Sequence, residues 1–331
     1  MKSRSPSRPP ARPSSRPPAR SPSTSHSPAH PSKSSTHAQA KVRGSQPPAK
    51  HSHTGAKPGR RPGSPAGKGG RPAAAAAPAR NSSGGREPRS RSRWVIGIHS
   101  VEEALRVRPT KAEEIWFKED FLSSQALREI ADKAQRSRIK VTTKSLAQLD
   151  QLGSGHQGVA IAMSQTPELN WDSLKTPGKK IVLVLDGIED VHNLGSVLRT
   201  AWLTGVVGVL IPADRAVGLT PSVCKIASGG AEHVPVDAHS NLPSVLQDLK
   251  DAGFWIYGLS EKGASLPWQL KLPEKVAWVI GSEGSGIRIP TERACDELVR
   301  IPQVSTGSSY NASIATSMAL METCRQFDHL K

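Results

Sequence analysis

The sequence predicts an α/β fold: a parallel β-sheet covered by helices, preceded by a smaller α/β unit and by a basic segment that does not fold. Three observations support this prediction. The composition changes abruptly near residue 94, and strand and helix signals alternate from there onwards. The run KIVLVLD at 180–186 is almost continuously apolar, as a parallel strand buried on both faces is. The alternation of such strands with helices is typical of a parallel sheet with helices on both faces.

The basic segment covers residues 1–93. It holds 20 of the 45 Lys and Arg residues, one acid (Glu87) and 17 of the 28 prolines. Among the larger apolar residue types it contains only Met1 and Val42, so burial cannot offset its chain entropy and we expect disorder. Its charge suits an electrostatic arm for RNA, and a solubilising extension is the alternative. A mitochondrial leader is disfavoured because the prolines interrupt any amphipathic helix.

The remaining 238 residues are close to neutral, with 25 basic and 27 acidic side chains, which excludes a uniformly basic globule. The three cysteines, Cys224, Cys295 and Cys324, form no CxxC pair. This argues against a disulfide framework or a zinc site and favours a reducing compartment. No apolar run approaches the roughly 20 residues of a membrane span, and no hydrophobic region follows the basic N-terminus. We therefore expect a cytoplasmic protein without a membrane span or a metal ion.

Residues 94–164 are predicted to form the smaller α/β unit, and 165–179 a linker marked by Pro167, Pro177 and Gly178. The second helix of the unit carries apolar residues at i, i+3, i+4 and i+7. The predicted strands of this unit lie at 94–98, 114–117, 140–143 and 158–162. Its predicted helices lie at 99–107, 123–137 and 146–149.

Residues 180–331 are predicted to form the larger unit. Its last helix carries Ile314, Met318 and Met321 at i, i+4 and i+7, the spacing of a packed face. Ligands of parallel sheets bind outside the carboxyl ends of the strands, so the loops at those ends are the candidate site. The predicted elements after the strand at 180–186 are strands near 207–211, 234–236, 255–259, 276–280 and 298–301 and helices near 194–204, 220–228, 242–252 and 311–327.

Three of these loops carry candidate functional residues. The first, DGIEDVHNLGSVLRTA at 186–201, contains Asn193, Gly195 and Arg199. A purely structural interpretation makes Asn193 a helix N-cap, Gly195 a residue that packs against the sheet and Arg199 part of a solvated helix face.

The second loop, VIGSEGSGI at 279–287, places three glycines around Glu283. No Lys-Ser/Thr follows, so it is not a Walker A motif, and its glycine spacing differs from the dinucleotide fingerprint. The third, IPQVSTGSSYNASIATSMALME at 301–322, is a polar stretch that ends at Asn311, where a helix opens. A plain turn and a plain N-cap are the structural interpretations of these two loops.

In order and spacing, the three loops resemble the motifs of the SPOUT superfamily and, more narrowly, of the SpoU/TrmH-type RNA 2′-O-ribose methyltransferases. The segment KIASGGAEHVPV at 225–236 also looks like the family's. Residues 94–163 resemble the N-terminal substrate-binding domain of the rRNA branch, which is similar to an RNA-binding ribosomal-protein fold. The matching motif residues are Asn193, Gly195, Arg199, Thr200 and Ala201; Gly281, Glu283, Gly284 and Gly286; and Ile301, Pro302, Ser309, Asn311 and Ser313.

The resemblance implies a C-terminal trefoil knot, S-adenosyl-L-methionine as the cofactor and a homodimer. Cofactor contacts are then expected at Gly281, Ile301 and Tyr310. Two departures from the family pattern lie in this region, since Ser305 replaces a common Gly and Tyr310 a common Leu.

The resemblance also assigns catalytic roles. Arg199 is expected at the acceptor ribose, orienting the hydroxyl and stabilising developing negative charge, or acting as a base with a substrate phosphate. Asn193 would position Arg199 or the ribose, and Glu283 would hold the site together or bind the substrate. Ser309 and Asn311 would present hydroxyl and amide groups to the ribose.

The implied reaction is methyl transfer to a ribose 2′-hydroxyl of RNA, with a guanosine of large-subunit rRNA as the expected acceptor. The small N-terminal unit favours rRNA, because simpler tRNA-modifying relatives lack it. Two alternatives stay open: a tRNA 2′-O-methyltransferase, and a catalytically silent RNA-binding or ribosome-assembly factor of the same fold. Cofactor binding distinguishes the silent factor from the enzymes.

Overall fold

The computed structural model describes residues 92–305 and 307–328, which form two β-sheets. Residues 1–91 of the predicted basic segment lie outside the described residues. Arg93, which composition assigns to that segment, is already part of the first strand.

The first sheet has four strands in the order β1-β4-β2-β3. Strand β4 is antiparallel to β1 and β2, whereas β2 and β3 are parallel. Apolar side chains of the first two helices cover one face of the sheet. All seven predicted elements of this unit are present within two residues of their predicted ends. They are β1 (Arg93–Ile96), α1 (Ile98–Val107), β2 (Ala112–Lys118), α2 (Gln125–Arg136), β3 (Lys140–Lys144), α3 (Leu146–Asp150) and β4 (Val159–Met163).

The second sheet has six strands, all parallel, in the order β10-β8-β9-β5-β6-β7. Its two central strands end together, with Asp186 opposite Gly281. The predicted parallel sheet is therefore confirmed. Its strands are β5 (Lys180–Asp186), β6 (Gly208–Pro212), β7 (Val236–His239), β8 (Trp255–Leu259), β9 (Lys275–Gly281) and β10 (Glu297–Val299).

Helices cover both faces of this sheet, because alternate residues of its strands enter two different apolar clusters. Ile181, Leu183 and Leu185 pack on one side and Val182 and Val184 on the other. The helices after the first unit are α4 (Trp171–Lys175), α5 (Val191–Leu203), α6 (Pro221–Ala227), α7 (Gly230–His233), α8 (Leu242–Asp251), α9 (Ile289–Arg293) and α10 (Ala312–Phe327).

Helix α4 lies within the segment predicted as a linker. Asn170 caps it by accepting a hydrogen bond from the Ser173 N–H at 3.1 Å, and Leu174 is fully buried in the cluster that includes α8. A single buried leucine on one helical turn gives no periodicity, which is why sequence patterns missed this helix.

The prediction that α10 packs through Ile314, Met318 and Met321 is wrong, because these side chains are 49%, 38% and 50% exposed. A different set of α10 residues is buried, and among them Thr323 Oγ1 accepts a hydrogen bond from the Trp278 indole N–H at 2.9 Å. Both faces of α10 carry apolar residues, so spacing alone could not select the inner one. The buried residues of α10 are Ala312, Thr316, Ala319, Leu320, Thr323, Cys324 and Phe327.

Helices α5 and α10 run side by side in the same direction. Asn193 and Asn311 are hydrogen-bonded at their first turns. At their last turns, the Cys324 thiol donates to the Thr204 carbonyl at 3.7 Å. The N-termini of both helices therefore lie at the edge where the central strands end.

Among the described residues, no helix combines the length and apolar character that crossing a membrane requires. Nor does any group of three or more His, Cys, Asp or Glu side chains in this part of the chain suit a metal ion.

Candidate functional site

The first turn of α5 places Asn193 at the carboxyl edge of the large sheet. The helix begins three residues earlier than predicted, because Asp190 and not Asn193 is its N-cap. Asp190 Oδ1 accepts hydrogen bonds from the N–H groups of His192 at 2.7 Å and Asn193 at 2.9 Å. Asn193 is thus inside the helix, buried at 5% exposure, and its side chain is free for other partners.

Asn193, Glu283 and Asn311 form an amide–carboxylate cluster that joins all three predicted loops. Asn193 Nδ2 donates to Glu283 Oε1 at 2.8 Å. Asn311 Nδ2 donates to the same oxygen at 2.7 Å and to Asn193 Oδ1 at 2.8 Å. One carboxylate oxygen of Glu283 therefore accepts two bonds, from side chains 90 and 28 positions away in the sequence.

Asn311 is the N-cap of α10, as predicted. Its Oδ1 accepts hydrogen bonds from the Ser313 N–H at 2.9 Å and the Ser313 hydroxyl at 2.6 Å. Because the cap occupies the oxygen, the amide nitrogen is the atom that faces the cluster.

The loop after β9 folds tightly around Gly281. A Cβ at this position would lie 2.0 Å from the carbonyl carbon of Gly286. Ser282 and Gly286 exchange backbone hydrogen bonds at 3.1 and 3.0 Å, and Gly284 and Gly286 have φ of 85° and 69°, where glycine is favoured. The glycines of the second motif thus form a compact turn that presents Glu283.

A first cleft of about 320 Å³ opens beside this turn. The ends of β8, β9 and β10 surround it, and α10 lies at its floor. It contains all three predicted cofactor residues, Gly281, Ile301 and Tyr310, together with Ser309 and Glu283. Three residues of the loop after β8 also line the cleft, although no sequence pattern indicated them: Ser260, Glu261 and Lys262.

The backbone around the first cleft has unused hydrogen-bonding groups. Within the described residues, neither the N–H nor the carbonyl of Ile301 has a hydrogen-bond partner. The Tyr310 hydroxyl donates to the Pro302 carbonyl at 3.3 Å, which ties the two ends of the third loop together. Ser305 is exposed and does not line the cleft.

A second cleft of about 410 Å³ lies on the other side of the Glu283 turn, and Asn193 borders it. At its base the buried Asp186 accepts hydrogen bonds from the Arg288 side-chain Nε at 2.6 Å and the Arg288 N–H at 3.0 Å. Sequence reasoning missed this ion pair, because its partners are 102 positions apart.

The predicted catalytic residue Arg199 is not part of the cluster. It is exposed, lines neither cleft, and forms no hydrogen bond or ion pair with any residue that the structure describes. Asn193 does not contact Arg199 within the chain, because six helical residues separate them by about 9 Å along the axis. Within one chain, four of the five predicted catalytic residues lie together and Arg199 lies apart.

Gly195 allows α5 to approach α6 closely, since a Cβ there would lie 2.6 Å from Ile226 Cβ. Gly230 of α7 makes a similar approach, with its Cβ position 2.6 Å from the Leu198 carbonyl oxygen. Gly195 is thus a close-packing residue, but its partner is helix α6 and the expectation that it packs against the sheet is wrong.

Family comparisons match both parts of the described chain. A sequence profile of the SpoU rRNA Methylase family matches residues 180–321. A profile described as RNA 2′-O ribose methyltransferase substrate binding matches residues 94–168.

Individual relatives match over nearly their whole length. A Staphylococcus aureus protein assigned to the TrmH family of tRNA/rRNA methyltransferases is 38% identical over 238 residues, 70% of this chain and 95% of the relative. The 23S rRNA (guanosine-2′-O-)-methyltransferase RlmB of Neisseria meningitidis is 38% identical over 239 residues, 71% of this chain and 95% of the relative. The solved SpoU methyltransferase AviRb of Streptomyces viridochromogenes, in complex with AdoMet, superposes with a TM-score of 0.63 at 20% identity, covering 71% of this chain and 90% of that one.

Proposed function

The chain belongs to the SpoU rRNA methylase family, and on that premise we propose that it transfers a methyl group from S-adenosyl-L-methionine to a ribose 2′-hydroxyl of RNA. The observation that carries this proposal is the amide–carboxylate cluster, which lies at the carboxyl edge of the parallel sheet between the two clefts. Parallel sheets bind their ligands at this edge.

The first cleft suits the cofactor. It combines apolar side chains, such as Leu259 and Ile301, with backbone groups at Ile301 that have no partner among the described residues, a mixture that matches an adenosine. Glu261 and Glu283 add negative charge, which complements a sulfonium. Residues Gly281, Ile301 and Tyr310 would hold the cofactor, and its chemistry when bound is the donation of an electrophilic methyl group.

The cluster orients the acceptor. A ribose hydroxyl is a weak acid, so the protein must position it and assist the loss of its proton. Glu283, fixed by two amides, offers its second carboxylate oxygen as a hydrogen-bond acceptor, and Asn193 and Asn311 keep that oxygen in place. Ser309 supplies a hydroxyl at the wall of the first cleft. In this proposal the acceptor ribose lies at the junction of the two clefts, beside Glu283.

Arg199 and the exposed stripe of α10 support a homodimer. Leu203, one turn beyond Arg199 on the same face of α5, is 71% exposed. The neighbouring helix α10 exposes Ile314, Met318 and Met321. An apolar surface of this kind on two adjacent helices is typical of an interface, and an isologous dimer would bury it. The dimer would bring Arg199 of one subunit to the amide–carboxylate cluster of the other.

Ribosomal RNA is the proposed substrate, with a guanosine of the large subunit as the acceptor. The substrate-binding profile at 94–168 and the RlmB relative support this choice. The S. aureus relative, described as a tRNA/rRNA methyltransferase, keeps tRNA as the alternative. A silent RNA-binding or ribosome-assembly factor is disfavoured because the cluster and the first cleft are both intact.

Each part of the chain has a place in the proposal. Residues 94–164 bind the RNA, and residues 165–179 connect the two units. Residues 180–331 catalyse the methyl transfer. We propose that the protein acts in the cytoplasm. The basic segment 1–93 adds sequence-independent affinity for RNA.

The proposal includes the C-terminal trefoil knot. Helix α10 starts at the cluster and ends at the opposite edge of the sheet, where Lys179 Nζ donates to the Phe327 carbonyl at 2.7 Å and Gln326 Nε2 to the Leu270 carbonyl at 3.0 Å. Earlier segments thus hold both ends of the helix, which is compatible with a threaded terminus.

Arg199→Ala tests the function. Losing one preorganised catalytic group lowers turnover by about 10²-fold or more, so we expect a loss of that size in single-turnover methylation of unmodified rRNA. Arg199→Lys should rescue poorly because Lys lacks the planar fork. Melting temperature and cofactor affinity should not change, since Arg199 has no partner in the described chain.

The wild-type protein must bind S-adenosyl-L-methionine in calorimetric titration and methylate rRNA. The absence of S-adenosyl-L-methionine binding, with or without RNA, would support the silent factor. An Arg199→Ala variant with turnover within about threefold of wild type, far from a catalytic loss, would remove Arg199 from the mechanism.

A further inference from the structure

Helix α7 connects the small sheet unit to the helix that carries Arg199. Its two sides contact different parts of the molecule. Gly230 lies against α5, with its Cβ position 2.6 Å from the Leu198 carbonyl oxygen and 3.1 Å from the Arg199 Cα. The His233 ring stacks on Trp202 of α5, with centroids 4.3 Å apart and planes 9° from parallel.

The other side of α7 binds the small unit through charges. Glu232 is 2% exposed, and both of its carboxylate oxygens accept hydrogen bonds from Arg93 Nη2 of β1 at 2.5 Å. Arg108 Nη1, just after α1, lies 3.7 Å from Glu232 Oε2. His233 Nε2 is hydrogen-bonded to Glu103 of α1. We call Arg93, Glu103, Glu232, His233 and Trp202 the α7 joint.

A buried ion pair is a weak source of stability, because the desolvation of its charges offsets their attraction. Replacing such a pair by apolar residues of similar volume often leaves the stability unchanged or raises it. Its geometry is demanding, however, since both charges must stay paired. A buried carboxylate held on both oxygens by one guanidinium therefore fixes an orientation more than it adds stability.

From these contacts we infer that the α7 joint sets the position of Arg199 relative to the RNA held by the small unit, so that Glu232 and His233 are positioning residues for methyl transfer. This inference rests on the proposed function of Arg199. The small unit matches the substrate-binding profile, and α7 is in backbone contact with Arg199 itself. A misplacement of about 1 Å at a reacting group costs about 10²-fold in rate.

The double variant Arg93→Met/Glu232→Met tests the inference in the full-length protein. Replacing both charges by apolar side chains should preserve folding. Cofactor affinity should equal that of wild type, because none of the joint residues lines the first cleft. The single-turnover rate at saturating rRNA should fall about tenfold or more, short of the loss for a removed catalytic group.

The decisive measurement combines the joint with Arg199. If the joint acts through Arg199, adding Arg93→Met/Glu232→Met to Arg199→Ala causes no further loss of rate, because residues that act as a unit are non-additive. A joint that only stabilised the fold would lower the rate by the same factor in both backgrounds. The control is Asp172→Met/Lys175→Met, which removes an ion pair at 2.9 Å within α4, outside the small unit, and should leave turnover unchanged.

His233→Ala provides a second test if the double variant does not fold. It removes the ring between Glu103 and Trp202 while Glu232 keeps its arginines, and the same loss of rate is expected. Either joint variant that folds, binds cofactor and methylates rRNA at the wild-type rate overturns the inference. Failure of the wild-type protein to methylate, by contrast, contradicts the proposed function.

Discussion

Asn311 shows how one side chain can serve both the fold and the site. Its Oδ1 caps α10, and its Nδ2 donates to Asn193 and Glu283. An N-cap needs an acceptor only, so the amide nitrogen would be unnecessary in a purely structural cap. The donor is needed because Glu283 Oε1 lies 2.7 Å away, where an aspartate oxygen would be repelled.

Gly281 is the residue for which a minimal substitution should be most informative. In Gly281→Ala, the new Cβ would lie 2.0 Å from the carbonyl carbon of Gly286 and 2.2 Å from the Ile287 nitrogen. Backbone atoms cannot move aside singly, so the turn that lines the first cleft must shift. Overpacking of this kind costs about 1–3 kcal/mol, so we expect affinity for S-adenosyl-L-methionine to fall about tenfold or more.

Calorimetric titration measures this effect, and Gly218→Ala is its matched control. No heavy atom lies within 4 Å of the Cβ position at Gly218, so that variant should bind as wild type does. Equal affinity of the Gly281→Ala variant and wild type would mean that the cofactor does not use this turn.

At the scale of elements, the Glu103 carboxylate of α1, which is hydrogen-bonded to Arg106 of the same helix and to His233 of α7, should make the stability of the fold depend on pH. Hydrogen bonding from Arg106, together with His233, lowers the pKa of Glu103 to about 2 from an ordinary value of 4.5. Because the folded-state pKa is depressed, the stabilisation is fully present above pH 4.5 and is lost as the pH falls towards 2.

Comparison of wild type with Glu103→Gln checks this expectation. The difference in melting temperature should be largest at pH 5 and should shrink by pH 2.5, as protonation removes the charge from wild type. Glu119→Gln changes an exposed carboxylate and serves as the control. A wild-type advantage that is constant over this range would show that the charge of Glu103 does not stabilise the fold.

At the scale of the whole molecule, the separation of Arg199 from the cluster predicts an active site shared between subunits. Heterodimers can be purified from co-expressed chains with two different tags, one carrying Arg199→Ala and the other Asn311→Ala. If Arg199 acts across the interface, one of the two sites contains neither substitution, and about half of wild-type turnover is expected.

The same heterodimer is inactive if Arg199 acts within its own chain, because each site then carries one substitution. Met318→Arg tests the interface itself, since it places a charge on the exposed stripe of α10. This variant should sediment as a monomer and lose methylation. An active monomer would contradict both the dimer and the shared site.

The basic segment 1–93 also belongs to this scale, because it holds the whole basic excess of the chain. Its role as an RNA arm stays a prediction. Most of it lies outside the described residues, and its charge alone suits an arm and a solubilising extension equally.

The sequence by itself determined the parallel sheet, the ten strands and seven of the ten α-helices of the described residues, and the three loops that carry the motifs. These features depend on short-range patterns: apolar runs, helical spacing and glycine-rich turns, which act over a few residues. The same patterns misplaced the start of α5, because Asp190 and Asn193 are both good caps. They missed α4, α7 and α9, because helices of four or five residues show no period.

Only the tertiary structure decided which face of α10 is buried, that Asn193 bonds Glu283 and Asn311 in place of Arg199, and that Asp186 pairs with Arg288. It also placed Arg93 in the α7 joint, although composition assigns it to the basic segment. Each of these outcomes involves a choice among partners that are distant along the chain. Such a choice depends on how sheet order and helix packing bring strand ends together in space, and residue type and spacing along the chain do not contain that information.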